Sequence, residues 1–246
     1  YDNTGKEIGL AQANNDGSYS LNIDKTYKGV VLLKAFDKDS TNTNNPQHLD
    51  ESTQANKTLP TLTASFYFDG QDATINITPL TMAAAIKAGF KAFKTDGTTD
   101  TQSPPSQTSV ESANALMAKA FGLQGSLLSQ DVAPTVDVNG KPTANGNTYG
   151  VALDLLSHMV NAQKTLTTAD LTGSLAQNLA TDKDGKIQVT SNLPTDLNQA
   201  ANSAILQHEG VYEPPVIQIL TGLNLLLNHI PVRTDTLKLS AISVFE

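Results

Sequence analysis

The first 78 residues carry short apolar runs separated by turn residues, whereas the following region carries apolar residues at helical spacing. Short β-branched and aromatic runs bounded by Asn, Asp, Gly and Pro are typical of strands. Asp16 and Gly17 together predict a tight hairpin turn. The apolar runs are residues 30–36 and 64–68, together with Ile8, Leu10, Tyr19, Leu21 and Ile23. The pattern therefore predicts β-structure over residues 1–78.

The opening segment, residues 1–5, is typical of the end of a strand and its turn, and no strand precedes it. Residues 6–23 then alternate as the partner in a hairpin does. A β-domain that lacks its first strand has an open edge. We expect either that the strand was removed by trimming or processing, or that another strand fills the gap. Residues 37–58, by contrast, predict a long polar loop on the surface.

Helical character begins at Thr78, a good N-cap, and at Pro79, a good first helical residue. A Ser/Thr/Gln/Pro-rich linker, residues 95–108, precedes a second helix capped near Ser109. In all, the pattern predicts about six helices. The third helix carries the apolar residues of 151–160, and the fourth begins at Thr167 or Thr168. The fifth begins at Thr195, and the sixth begins at Pro214 and Pro215.

The end of the chain returns to a strand pattern over residues 234–245. Its apolar residues are Leu237, Leu239, Ala241, Ile242 and Val244. The first three alternate with polar residues, and the last two continue in the opposite phase, as a bulge or burial on both faces would require. No local partner for this strand is evident.

These elements predict an α+β protein in three parts. Residues 1–78 form a partial β-sandwich that lacks its first strand, and residues 79–231 form an α-helical bundle of about six helices. Residues 232–246 form a C-terminal β-strand. That strand is either a donor to another sheet or a linker to a further domain.

Composition narrows the function classes. The formal net charge of −8 disfavours nucleic acid as a partner, because phosphate-backbone affinity depends on Lys and Arg. The longest apolar stretch, residues 216–230, is interrupted by polar residues and is shorter than the ~20 residues that span a bilayer, so no transmembrane segment is expected. With no Cys and only 16% charged residues, uncharged polar groups must cover much of the surface, as is common in secreted bacterial proteins.

Candidate chemistry is sparse. Asp182 and Asp184 precede a glycine as in a calcium loop, but the further acidic positions and the distant Glu of an EF-hand are missing, so a solvated turn is the simpler interpretation. The acidic loop with Asp37, Asp39 and Asp50 is open to the same two interpretations. The four histidines show no zinc-type pairing, and no Gly-x-Ser-x-Gly motif is present. We therefore expect no cofactor and no catalytic residues, and predict that the protein is not an enzyme.

Residues 14–21, followed by residues 29–35, resemble the second half of carboxypeptidase-regulatory-like, transthyretin-type β-sandwich modules. Asn15 stands where that pattern usually has a Thr-Asp pair. Residues 77–84, 149–153 and 182–186 resemble the helical region that follows such modules in large bacterial exported and surface lipoproteins. The resemblance implies an extracellular or cell-surface location and carries no agreed catalytic residues.

These features favour a structural role, as a subunit of a surface filament or adhesin. Residues 237–244 of one copy would complete the N-terminal sheet of the next by strand addition, and such head-to-tail contacts propagate. Alternatively, this segment folds back on its own sheet or leads into a further domain. The rival function is a monomeric surface lipoprotein module that binds a glycan or peptide, and host or surface ligands stay open. An enzyme ranks third.

Overall fold

The computed structural model describes residues 1–38, 48–90, 105–137, 139, 141, 143, 146–162, 166–178, 199–200 and 203. Four strands come first along the chain: β1 (Gly29–Ala35), β2 (His48–Asp50), β3 (Ala55–Lys57) and β4 (Leu62–Phe68). Four helices follow: α1 (Pro79–Ala88), α2 (Gln107–Ala120), α3 (Thr148–Ala162) and α4 (Thr168–Asn178). The described part is therefore an α+β fold.

The main sheet pairs β1 with β4 in antiparallel register, so that Val31 lies opposite Phe66 and Leu33 opposite Ala64. A second, smaller sheet pairs β2 with β3 as a short hairpin. Both long strands are buried along most of their length, which explains why their sequences are predominantly apolar. The expected strands at residues 30–36 and 64–68 are thus confirmed.

Each face of the main sheet contributes to a different apolar core. Val30 and Leu32 point to a large core that they share with helices α1 to α4. Val31, Leu33, Phe66 and Phe68 point the other way. The residues that cover this second face come from the N-terminal segment and from two later loops: Ile8, Tyr19, Leu21, Ile23, Tyr27, Ile75, Ile77 and Leu128. The sheet is therefore the middle layer between the helices and irregular chain.

Helix α1 begins where the sequence predicts. Thr81 donates its backbone N–H to Thr78 Oγ1, and Thr78 donates its own to Thr81 Oγ1, which completes a capping box. The helix ends at Gly89, whose φ of 118° lies in the left-handed region that favours glycine. Its alanines are small enough for α1 to pack closely against β4, α2 and α4.

The other helices also lie where the sequence predicts, although the N-cap of α2 differs from the predicted one. Helix α2 is capped by Ser106 instead of Ser109, because Ser106 Oγ accepts the backbone N–H of Ser109. In α4 the predicted cap is confirmed, since Thr167 Oγ1 accepts the N–H of Asp170. Helix α3 covers the predicted third helix and buries Tyr149 completely.

The prediction of a transthyretin-like β-sandwich is wrong. Described residues 3–28 contain no strand, although most of their large apolar side chains pack against the sheet. Leu10 is instead exposed. The physical reason lies in three aspartates, Asp2, Asp16 and Asp24, each of which accepts the N–H and the hydroxyl of the Ser or Thr two residues later. These local bonds turn the backbone repeatedly and compete with ladder pairing. The turn at Gly17 is confirmed, with a φ of 81°.

A bundle of about six helices is not supported either, since the described residues contain four helices. Of the predicted fifth helix, only 199, 200 and 203 are described, and they are helical. The predicted sixth helix and the C-terminal strand lie outside the described residues. Among the helices that the structure does describe, none has the length and apolarity to cross a membrane, in agreement with the expectation of no transmembrane segment.

Candidate functional site

A polar network joins the β2–β3 hairpin to α3, and Asp50 lies at its centre. Its carboxylate accepts the N–H and the hydroxyl of Thr53 at 2.9 and 2.6 Å. From α3 it accepts Ser157 Oγ at 3.0 Å and Asn161 Nδ2 at 3.1 Å. Lys57 Nζ lies 3.4 Å away and also donates to Asn161 Oδ1. One carboxylate thus connects segments about a hundred residues apart in sequence.

The environment of Asp50 favours its charged form. Burial alone would raise the pKa of this carboxyl, but the hydrogen bonds from Thr53 and Ser157 and the charge of Lys57 outweigh burial. The pKa of Asp50 is consequently lowered to about 2. The expectation that residues 37–58 form only an exposed loop is wrong here, because the side chain of Asp50 is just 12% exposed.

Next to this network lies a second cluster that contains Glu51, Asp154 and His158. Glu51 Oε1 accepts the backbone N–H of Thr135 at 3.0 Å. Asp154 is fully buried, and its Oδ1 lies 3.4 Å from Nε2 of His158, one turn further along α3. Burial, reinforced by the nearby charge of Asp154, raises the pKa of Glu51 to about 8. Glu51 is therefore mostly a neutral acid near pH 7.

The hydrogen bonds and the ion pair of these clusters hold the β2–β3 hairpin against α3. Ser157 Oγ donates to a carboxylate that hydrogen bonds and Lys57 hold in its charged form, whereas a serine nucleophile needs an adjacent general base, usually a histidine, that takes its proton. In the part of the chain that the structure describes, no three His, Cys, Asp or Glu residues are grouped to hold a metal ion. The clusters stabilise the position of the hairpin on α3.

Glu51→Gln is expected to stabilise the protein at pH 8 and to change little at pH 4. The unfolded chain ionises Glu51 near pH 4.5, but the fold retains its proton up to about pH 8, so stability falls across this interval. The amide keeps an acceptor for Thr135 and removes this dependence, for a gain of about 1–3 kcal/mol at pH 8. Urea unfolding of both proteins at pH 4 and pH 8 measures it. Parallel pH profiles would contradict the assignment.

A groove of about 560 Å³ lies elsewhere, beside the C-terminal end of β4. One wall is a face of α2 that presents Gln107, Val110, Glu111 and Asn114 at helical spacing. The other lining residues come from β4, the segment that follows it, and the loop after α2: Phe66, Tyr67, Asp69, Ala73, Thr74, Ile75, Ser126, Leu128 and Ser129. The groove therefore combines apolar walls with two carboxylates.

The outer edge of β4 borders this groove, and helix side chains cover part of it. Thr81 Oγ1 donates to the carbonyl of Thr63 at 2.9 Å, and Asn114 Nδ2 donates to the carbonyl of Ser65 at 2.9 Å. Alternate residues of a strand direct their backbone groups to the same side. Tyr67 is next in this series, and among the described residues no side chain donates to its carbonyl. The covered edge thus ends where the groove begins.

The opposite edge of the main sheet is met by the start of the chain. Tyr1 donates its amino group to the Leu32 carbonyl at 3.0 Å and accepts the Leu32 N–H at 2.9 Å, and Asp2 bridges to Val31. The opening residues, expected to have no partner before them, therefore pair with β1.

Most of the site residues that the sequence analysis predicts lie outside the described residues. The calcium candidates Asp182 and Asp184 lie outside the described residues. So do all five predicted assembly residues, Leu237, Leu239, Ala241, Ile242 and Val244. Of the histidines, His48 is half-buried in β2, where burial lowers its pKa, and His158 contacts Asp154. The calcium and assembly roles of these residues therefore stay predictions.

Sequence reasoning missed Glu51, Asp154 and His158. The spacing of Asp154 and His158, four residues apart within a predicted helix, was an available signal for a pair on one helix face. Glu51 gave no signal, since an acidic residue in a polar segment is ordinarily exposed. Its burial depends on the packing of the hairpin on α3.

Comparison with known proteins yields no match to a family model, to a curated protein or to a solved structure. The resemblance to transthyretin-type modules thus stays an inference from short motifs. Function has to be inferred from the geometry of the described residues.

Proposed function

We propose that the protein is a structural subunit of a bacterial surface filament or adhesin that assembles by strand addition between copies. The observation that carries the proposal is the β4 edge at Tyr67, where no described side chain donates to the backbone carbonyl. Among the described residues the main sheet has two long strands, and the helix side chains that cover the β4 edge end at Ser65. A sheet edge with open N–H and C=O groups is a template for another strand.

The donor in this proposal is residues 237–244. Leu237, Leu239 and Ala241 alternate with Lys238 and Ser240, which is the pattern of a strand with one apolar face. When such a strand lies beside a sheet, its backbone supplies affinity and its alternate side chains supply specificity. The residue pattern of this segment suits pairing with an open sheet edge.

A donor at one end and an acceptor near the other make a heterologous contact. Such contacts generate rings when the rotation closes and open filaments when it does not. The low content of charged residues, 16%, and the abundant uncharged polar residues support an extracellular or cell-surface location for the assembly. The absence of cysteine is compatible with that compartment.

The groove also supports the rival function, a monomeric surface module that binds a peptide of another protein. Apolar walls beside an open strand edge suit an extended ligand of any origin. The two functions differ in one measurable property. A subunit associates with itself in a concentration-dependent way, and a module stays monomeric.

Leu239→Pro is expected to abolish self-association and leave the fold intact. Proline removes a backbone donor and is excluded from a strand that is paired on that side. The matched control is Leu239→Val, which keeps strand propensity and should assemble as the unchanged chain does. Sedimentation velocity over a concentration series and negative-stain electron microscopy measure assembly, and circular dichroism checks the fold.

Two results would contradict the proposal. An unchanged chain that sediments as a monomer at every concentration would favour the module. A Leu239→Pro variant with unaltered assembly would show that residues 237–244 are not the donor.

A further inference from the structure

We infer that the groove between the end of β4 and α2 is the acceptor for residues 237–244 of a second copy, with Lys238 placed between Asp69 and Glu111. The inference rests on the proposed function and assigns a site to it. Three independent features of the groove support this occupant: its open backbone, a buried polar atom that lacks a partner, and its charge.

The backbone of β4 offers the first contact. Leu32 bonds to Tyr1 on one side of the sheet, so its cross-strand neighbour Ser65 directs its backbone groups to the opposite side. The same alternation directs the N–H and C=O of Tyr67 outward, into the groove. A strand laid there would extend the sheet from two strands to three over its last residues.

Asn114 offers the second contact. It lines the groove, is only 8% exposed, and donates its Nδ2 to the Ser65 carbonyl. Its Oδ1 has no hydrogen-bond partner among the described residues. An unsatisfied buried acceptor costs about 1–3 kcal/mol, and a backbone N–H from an added strand would remove that cost. Asn114 therefore holds the edge and offers the next acceptor.

Charge selects the occupant. The lining contains two acidic residues, Asp69 and Glu111, and no Lys, Arg or His. Residues 237–244 contain one basic residue, Lys238, and no acidic one. The negative charge of the groove therefore attracts the basic donor segment. Half-buried Ile75, Leu128 and Tyr67 form the apolar surface that Leu237 and Leu239 would contact.

The test is a charge reversal in the full-length chain. The double variant Asp69→Lys, Glu111→Lys is expected to weaken self-association by about tenfold or more, and Lys238→Glu should weaken it as well. A chain that carries all three substitutions should recover most of the loss, because attraction is restored with opposite signs. Analytical ultracentrifugation gives the association constants.

The matched control is Asp72→Lys. Asp72 is 93% exposed, pairs only with the exposed Lys25, and does not line the groove. It changes the net charge in the same direction and should leave association nearly unchanged. Circular dichroism verifies that each variant is folded.

The outcomes separate this inference from the proposed function. If the unchanged chain assembles and the groove variants behave like Asp72→Lys, the groove is not the acceptor, and assembly by strand addition stands. If the triple variant fails to recover, the contact between Lys238 and the two carboxylates is wrong. If the unchanged chain does not assemble at all, the proposed function itself fails.

Discussion

Gly150→Ala is expected to lower the free energy of unfolding by more than about 3 kcal/mol, enough to unfold much of the protein. A Cβ at this position would lie 1.8 Å from the carbonyl oxygen of Ala133 and 2.8 Å from its carbon. Real Cβ atoms do not approach backbone this closely, so either α3 or the segment at Ala133 must move.

Neither side can move easily. Asn147 caps the start of α3 and also donates to the Asp131 carbonyl, which ties the helix to the same segment. Tyr149, next to Gly150, is fully buried and donates its hydroxyl to the Leu127 carbonyl. A shift of α3 would break both contacts and open the core.

The control for this prediction is Gly173→Ala in α4. A Cβ there meets no atom within 4 Å, and alanine is the better helix former, so a gain of about 0.5–1 kcal/mol is expected. Thermal unfolding followed by circular dichroism compares the two variants. Equal melting temperatures for Gly150→Ala and the unchanged chain would refute the close approach at Ala133.

The second large effect is expected for Asp50→Ala, at about 2–4 kcal/mol of destabilisation near pH 7. The substitution leaves Ser157, Asn161 and Lys57 without their shared acceptor and detaches the hairpin from α3. Asp24→Ala is the matched control. It removes the same local turn bonds, to Thr26, on an exposed segment with no partner on another element, and should change the melting temperature little.

The destabilisation by Asp50→Ala is expected to decrease as the pH falls. The pKa of Asp50 is about 2 in the fold, below its ordinary value of 3.8, so the carboxylate stabilises the fold above about pH 4. This contribution is lost as the pH falls towards 2. Urea unfolding at pH 7 and pH 2.5 should therefore show a large difference between the two proteins at the first pH and a smaller one at the second. A constant difference would contradict the assignment.

The elements that follow from local chemistry were predictable. Thr78, Pro79 and Gly89 mark the ends of α1 by capping and backbone geometry alone. Asp16 and Gly17 likewise specify a turn. The buried strands β1 and β4 are predominantly apolar runs whose existence, though not their pairing, is evident from the sequence.

Residues 3–28 show where local pattern misleads. Their apolar residues alternate as in a strand, and Ile8, Tyr19 and Leu21 do cover the sheet. Burial of these side chains, however, does not require ladder hydrogen bonds. The Asp-centred turns satisfy the backbone locally, so the segment is buried on one side without being a strand.

The candidate sites depend on tertiary packing and were therefore harder to predict from the sequence. Gln107, Val110, Glu111 and Asn114 share one helix face, which the spacing predicts, but their position beside β4 does not follow from it. Asp50 and Lys57 lie in a segment that composition marks as a loop. Only the approach of α3 turns them into a buried network.

The cover on β4 has a consequence for how the protein is made. The donor to the Thr63 carbonyl, Thr81, follows 18 residues later in the chain. The donor to the Ser65 carbonyl, Asn114, follows 49 residues later. At about 5–20 residues per second, a ribosome needs roughly 2–10 s to add that stretch. During this interval the Ser65 carbonyl lacks the cover that Asn114 provides, so this end of the β4 edge is the last to be closed. We expect slower translation of residues 65–114 to lengthen the time in which this edge is open to strand pairing with other chains.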